Sequence, residues 1–171
     1  MSVFRFEDED RDYLYVSTYQ SAQLYRYGGN IADSSFTWKR LTTVSSAMSS
    51  DTDVFDIKMY NNMLFISTGP YGNVHRYQRT YDSLGNVTET IITKQLYDDE
   101  FDNDISFRLN VLCLELFDDK IFAGVDYKST IFSYQYLNQE QPREDEWKEK
   151  VNFNNNFKNS PNPWEFYNQG N

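Results

Sequence analysis

The 171-residue chain carries 16 Lys and Arg against 26 Asp and Glu, a formal net charge of −10. That length suits one well-buried domain rather than two, and the charge excludes a protein that tracks nucleic acid or an anionic membrane, since both need a basic face. Aromatic residues reach 18%, with 14 Tyr and 13 Phe beside 4 Pro and 7 Gly, a bias that fits the half-buried pleated surface of sheets.

Phe4-Arg5-Phe6 alternates as a strand does, and Glu7 to Tyr13 follows as an acidic turn. This acidic start is unlike a signal peptide with an apolar core, and no run of the sequence approaches the ~18 apolar residues of a membrane span. The expectation is a cytoplasmic protein. Asn86-Val87-Thr88 matches a glycosylation triplet without other signs of secretion. The lone Cys113 excludes an intramolecular disulfide framework and a cysteine zinc cage.

The next elements form a repeat, seen in three ungapped copies. Leu14-Tyr15-Val16-Ser17-Thr18 is followed by Leu24-Tyr25-Arg26-Tyr27. Leu64-Phe65-Ile66-Ser67-Thr68 is followed by Val74-His75-Arg76-Tyr77. Ile121-Phe122-Ala123-Gly124-Val125 is followed by Ile131-Phe132-Ser133-Tyr134. In each copy the second run begins ten residues after the first, which predicts a hairpin with its turn at Tyr19 to Gln23, Gly69 to Asn73 and Asp126 to Thr130.

A further strand precedes each hairpin: Phe4-Arg5-Phe6, Ile57-Lys58-Met59-Tyr60, and Leu114-Glu115-Leu116-Phe117. Asn61-Asn62 and Asp118-Asp119 supply Asx-type turns after the second and third of these. A fourth strand follows each hairpin, at Phe36 to Leu41, Thr88 to Leu96 and Trp147 to Val151. The copies are spaced 50 and 57 residues apart, counted from Leu14 to Leu64 to Ile121. Four short antiparallel strands in each unit of about 40–50 residues is a propeller-blade pattern.

This pattern, with its Ser17-Thr18 and Ser67-Thr68 pairs and later Trp, resembles generic kelch-like β-propeller blades over residues 2–151. The resemblance implies an all-β fold of three four-stranded blades, at about 2–41, 54–96 and 111–151. Residues 152–171 form an Asn- and aromatic-rich tail. A propeller ring usually holds four to eight blades, so three imply a ring completed by other chains: a second copy, giving six blades, or other proteins of a large assembly.

No residue set points to catalysis. His75 aligns with Tyr25 and Phe132, so it reads as a packing position, and a Ser-His-Asp triad has nothing else to build on. Cys113 aligns with Asp56 and has no Lys, Arg or His beside it to lower its pKa, so it reads as a buried or inert thiol. Asp98, Glu100, Asp102 and Asp104 alternate like calcium-loop ligands, but Asn103 and Leu109 occupy the places of the required Gly and Glu. Gly69-Pro70-Tyr71-Gly72 lacks the Lys of a phosphate loop. No metal or cofactor is expected.

The expected function is therefore a non-enzymatic structural or interaction module. The Tyr- and Asn-rich blades resemble arrays in phage tails and collars, which implies a virion setting. Phe4, Phe6, Trp147, Trp164, Phe166 and Tyr167 are the candidate contact residues, because open edges and aromatic anchors are what neighbouring chains engage. The competing expectation is a lectin, whose sugar sites would repeat at equivalent positions. Arg26 and Arg76 are equivalent, but Ser133 breaks the series.

Overall fold

The computed structural model describes residues 2–6, 13–18, 20–28, 37–96, 109–126, 130–134 and 147–152. These hold three antiparallel sheets of four strands each, every one a meander. The first is β1 (Ser2–Phe4), β2 (Tyr13–Ser17), β3 (Leu24–Tyr27) and β4 (Trp38–Arg40). The second is β5 (Asp53–Tyr60), β6 (Met63–Gly69), β7 (Asn73–Tyr81) and β8 (Val87–Gln95). The third is β9 (Val111–Phe117), β10 (Lys120–Val125), β11 (Thr130–Tyr134) and β12 (Lys148–Asn152). The chain is all-β, and among the described residues the sheets do not close on one another.

The expected elements fall near their sequence positions, with shifts at the ends. Of the strand expected over Phe36 to Leu41, Trp38–Arg40 form β4 and Phe36 lies outside the described residues, while Leu41 leads into a six-residue helix, α1 (Thr42–Ala47), that the repeat pattern did not contain. Val44 and Met48 are fully buried there, and the Leu24 amide donates to the Ser45 hydroxyl, so burial and a hydrogen bond hold this short turn of helix. Trp147 precedes β12 rather than opening it. The acidic segments Glu7 to Asp12 and Asp98 to Asp104 lie outside the described residues.

The tight turns obey one rule. Asn61 and Asn62 have φ of 48° and 56°, and Asp118 and Asp119 have 48° and 54°. Two consecutive left-handed residues match the right-handed twist of the flanking strands, and Asn and Asp tolerate that conformation better than other side chains bearing a Cβ.

Strand alternation sends side chains from the middle sheet into two separate cores. Along β6, Met63 and Phe65 join the core shared with the third sheet, while Leu64 and Ile66 join the core shared with the first. Every residue of β6 is buried as a result. The first-side core adds Phe6, Tyr15, Leu24, Val44 and Tyr77, and the other adds Leu114, Ile121, Phe132 and Tyr134.

Candidate interaction surface

The three hairpins share one register. Leu14 pairs with Tyr27, Leu64 with Tyr77 and Ile121 with Tyr134; Val16 pairs with Tyr25, Ile66 with His75 and Ala123 with Phe132. Directly paired residues share a face, so each sheet has one face of the Leu14 type and an opposite face of the Tyr15, Phe65 and Phe122 type. Inside the chain these faces meet twice in the same order. Tyr15 and Leu24 of the first sheet pack with Leu64, Ile66 and Tyr77 of the second, and Phe65 and Val74 of the second pack with Ile121, Ala123 and Tyr134 of the third.

Polar groups bind the second of these junctions at its rim. The Leu114 amide donates to Asp56 at 2.9 Å, the Tyr60 hydroxyl to the Asp119 carbonyl at 2.8 Å, and the Arg76 guanidinium to the Tyr134 hydroxyl. At the first junction, Arg79 lies over the Phe6 ring at 4.4 Å and donates to the Tyr77 hydroxyl at 3.0 Å, which in turn donates to Glu89 at 2.9 Å. Burial pushes the Tyr77 phenol up to about 12 against the opposing pull of Arg79. The Thr43 hydroxyl, donating from α1, holds the Glu89 carboxyl below the usual glutamate value, helped by Tyr77, Arg79 and Lys39.

Among the described residues, no further sheet packs on the outermost two faces. On the first sheet, Leu14, Val16, Tyr25 and Tyr27 are half-buried, Val3 is exposed, and Trp38 is 52% exposed against Tyr27 with ring centroids 5.0 Å apart. On the third, Phe122 and Ile131 are half-buried, and Phe117 is 73% exposed, its ring centroid 6.4 Å from that of Phe122. Cys113, paired with Gly124, is exposed on that face. The thiol is therefore not buried, and among the described residues no sheet follows the face it occupies.

The expected contact residues divide accordingly. Phe6 is fully buried inside the chain, edge-on to Tyr15 and Tyr77, so it packs the first two sheets together instead of meeting a partner. Trp147 is half-buried against Phe65 and Tyr134, with centroids 6.3 and 5.5 Å away. The backbone of Phe4 pairs with Tyr13 in the first sheet. Trp164, Phe166 and Tyr167 lie outside the described residues. The outward sheet faces, made of core-type residues, are the surface that a three-blade array implies, and the repeat register identifies their residues, most of which are not among the single candidates.

His75 is buried, as a packing position should be, but it is also hydrogen-bonded. Nε2 lies 2.7 Å from Asp51 Oδ2 and 3.2 Å from Thr68 Oγ1, and Nδ1 lies 2.9 Å from Thr93 Oγ1. Asn73 donates to the other Asp51 oxygen at 2.9 Å. A carboxylate only accepts, so Nε2 donates to it. The group joins the loop after α1 to β6, β7 and β8, and its histidine and aspartate side chains have no exposed area. Its geometry is that of a tie between elements.

Gly69 to Asn73 is the expected hairpin turn, and it is held against the start of β9: the Gly72 amide donates to the Leu109 carbonyl at 2.8 Å and the Leu109 amide to the Pro70 carbonyl at 2.7 Å. Among the described residues no group of His, Cys, Asp or Glu could hold a metal ion, and no helix is long and apolar enough to cross a membrane. No family model, curated protein or solved structure matches the chain.

Proposed function

We propose that this chain is a non-enzymatic structural and interaction protein, three propeller-type blades working as one component of a larger assembly. The observation that carries this reading is the pair of outward faces with exposed apolar side chains, Val3 and Trp38 on one side and Phe117 on the other. Large contiguous apolar surface is uncommon on soluble monomers and marks a place where something docks, and an open repeat array needs its ends capped. A virion part such as a phage tail or collar is the setting the repeat resembles.

The lectin alternative draws less support from the geometry. Arg26 stacks on Tyr13 at 4.5 Å, and Arg76 lies over Tyr134 and donates to its hydroxyl. Both arginines of the equivalent pair are thus engaged with tyrosines of their own chain. The deciding measurement is the mass of the native particle in an extract of the source. A particle heavier than the 20.3 kDa chain is expected, and a free 20.3 kDa chain that binds a defined sugar on a glycan array would overturn the proposal in favour of the lectin.

A further inference from the structure

The same face-to-face junction occurs twice within the chain, and among the described residues no further sheet covers the outward face of the first sheet or of the third. The apolar repeat positions report this, although Ser133 on the outer face of the third sheet is buried. Leu64 and Ile121, covered by a preceding sheet, are fully buried, whereas their equivalent Leu14 is not. Ile66 and Ala123 are fully buried, whereas Val16 is not. On the opposite faces, Tyr15 and Phe65 are covered by a following sheet and Phe122 is only half covered; Leu24 and Val74 are buried and Ile131 is not. Tyr60 is 6% exposed beneath the third sheet, and its equivalent Phe117 is 73% exposed.

We infer that the Phe117–Phe122–Ile131 face of one chain packs on the Val3–Leu14–Val16–Trp38 face of a second copy, head to tail, so that two chains form a ring of six sheets. This rests on the assembly reading above and names its partner. The exposed half at one end has the same residue types, in the same register, as the halves that Tyr15 and Phe65 already meet inside the chain. A foreign partner would have to reproduce that surface, whereas a second copy already presents it. Two copies related by a two-fold axis make the junction twice and leave neither face bare, and six blades lie within the range at which propellers close.

The test uses the full chain with Phe117→Asp or Trp38→Asp, both exposed in the single chain and so removable without disturbing either core. Wild type should sediment at twice 20.3 kDa at micromolar concentration, and each variant alone at the single-chain mass. An equimolar mixture of the two variants should associate again, because the intact face of one meets the intact face of the other. Cys113 provides a second readout: maleimide labelling should be slow in wild type and at least about tenfold faster in either variant alone, a difference of about 1.4 kcal/mol in protection. A monomeric wild type, or a mixture that stays monomeric while wild type dimerises, would overturn head-to-tail pairing. If the purified chain is monomeric but the native particle is large, the self-assembly inference falls while the assembly reading stands, with different proteins covering the faces.

Discussion

Asp51 accepts a hydrogen bond from His75 Nε2 at 2.7 Å, with both side chains wholly removed from solvent. The repeat places His75 where the other copies have Tyr25 and Phe132, which implies that Phe should be tolerated. The structure reverses that expectation, since Phe would leave the Asp51 carboxylate buried with Asn73 and its own backbone surroundings. His75→Phe should cost about 3 kcal/mol, the upper end of the usual loss on leaving a buried hydrogen-bonding group short of a partner. Adding Asp51→Leu should recover part of it. Urea unfolding measures both, and a loss under about 1.5 kcal/mol would return His75 to a pure packing role.

Tyr77 and Glu89 set opposite ends of the pH profile. With its phenol raised to about 12, the folded chain keeps a proton that the unfolded chain releases near 10, so stability falls as pH rises from about 10 towards 12. Tyr77→Phe should flatten that limb and remove one late-titrating phenol from the alkaline ultraviolet difference spectrum. Glu89 has the lowered value, so its contribution is present above the ordinary glutamate range and is lost as pH falls through its folded value. Glu89→Gln should flatten the acid limb; an unchanged acid midpoint would remove Glu89 from this account.

Two glycines with positive φ separate conformational strain from crowding. Gly85, at φ 82°, has open space where a Cβ would sit, while at Gly72, with φ 68°, a Cβ would lie 1.6 Å from the Leu109 side chain. Gly85→Ala should therefore cost about 1–2 kcal/mol, the left-handed penalty alone. Gly72→Ala should cost clearly more, because the buried Leu109 must also move. Thermal melts of the two variants compare them directly, and equal losses would mean that Leu109 yields freely.

The alternation along β6 predicts separable damage to the two cores. Phe65→Ala should cost about 3–5 kcal/mol and Leu64→Ala about 2–5 kcal/mol. Only the first should change the fluorescence of Trp147, which contacts Phe65 and sits against that core. Replacing Trp38 and Trp164 by Phe isolates the signal, and an equal response to both substitutions would contradict the two-core arrangement.

The repeat by itself determined the class of fold. Alternating residues such as Leu64, Phe65 and Ile66 have to place neighbours on opposite faces, and the paired Asn61-Asn62 and Asp118-Asp119 turns have to reverse the chain at once, because both effects are local. Equivalence of position also carried the register, since Leu14, Leu64 and Ile121 pair with Tyr27, Tyr77 and Tyr134. What only the tertiary structure decided is which face each neighbour covers. Tyr60 and Phe117 are alike in sequence terms, yet one is buried and the other bare because burial depends on the sheet beyond. Phe6 went inward for the same reason, drawn between Tyr15 and Tyr77. The Asp51–His75 contact spans 24 residues from outside the repeat, so no comparison of copies could show it. Local periodicity is written in the chain, whereas long-range enclosure depends on how whole sheets stack.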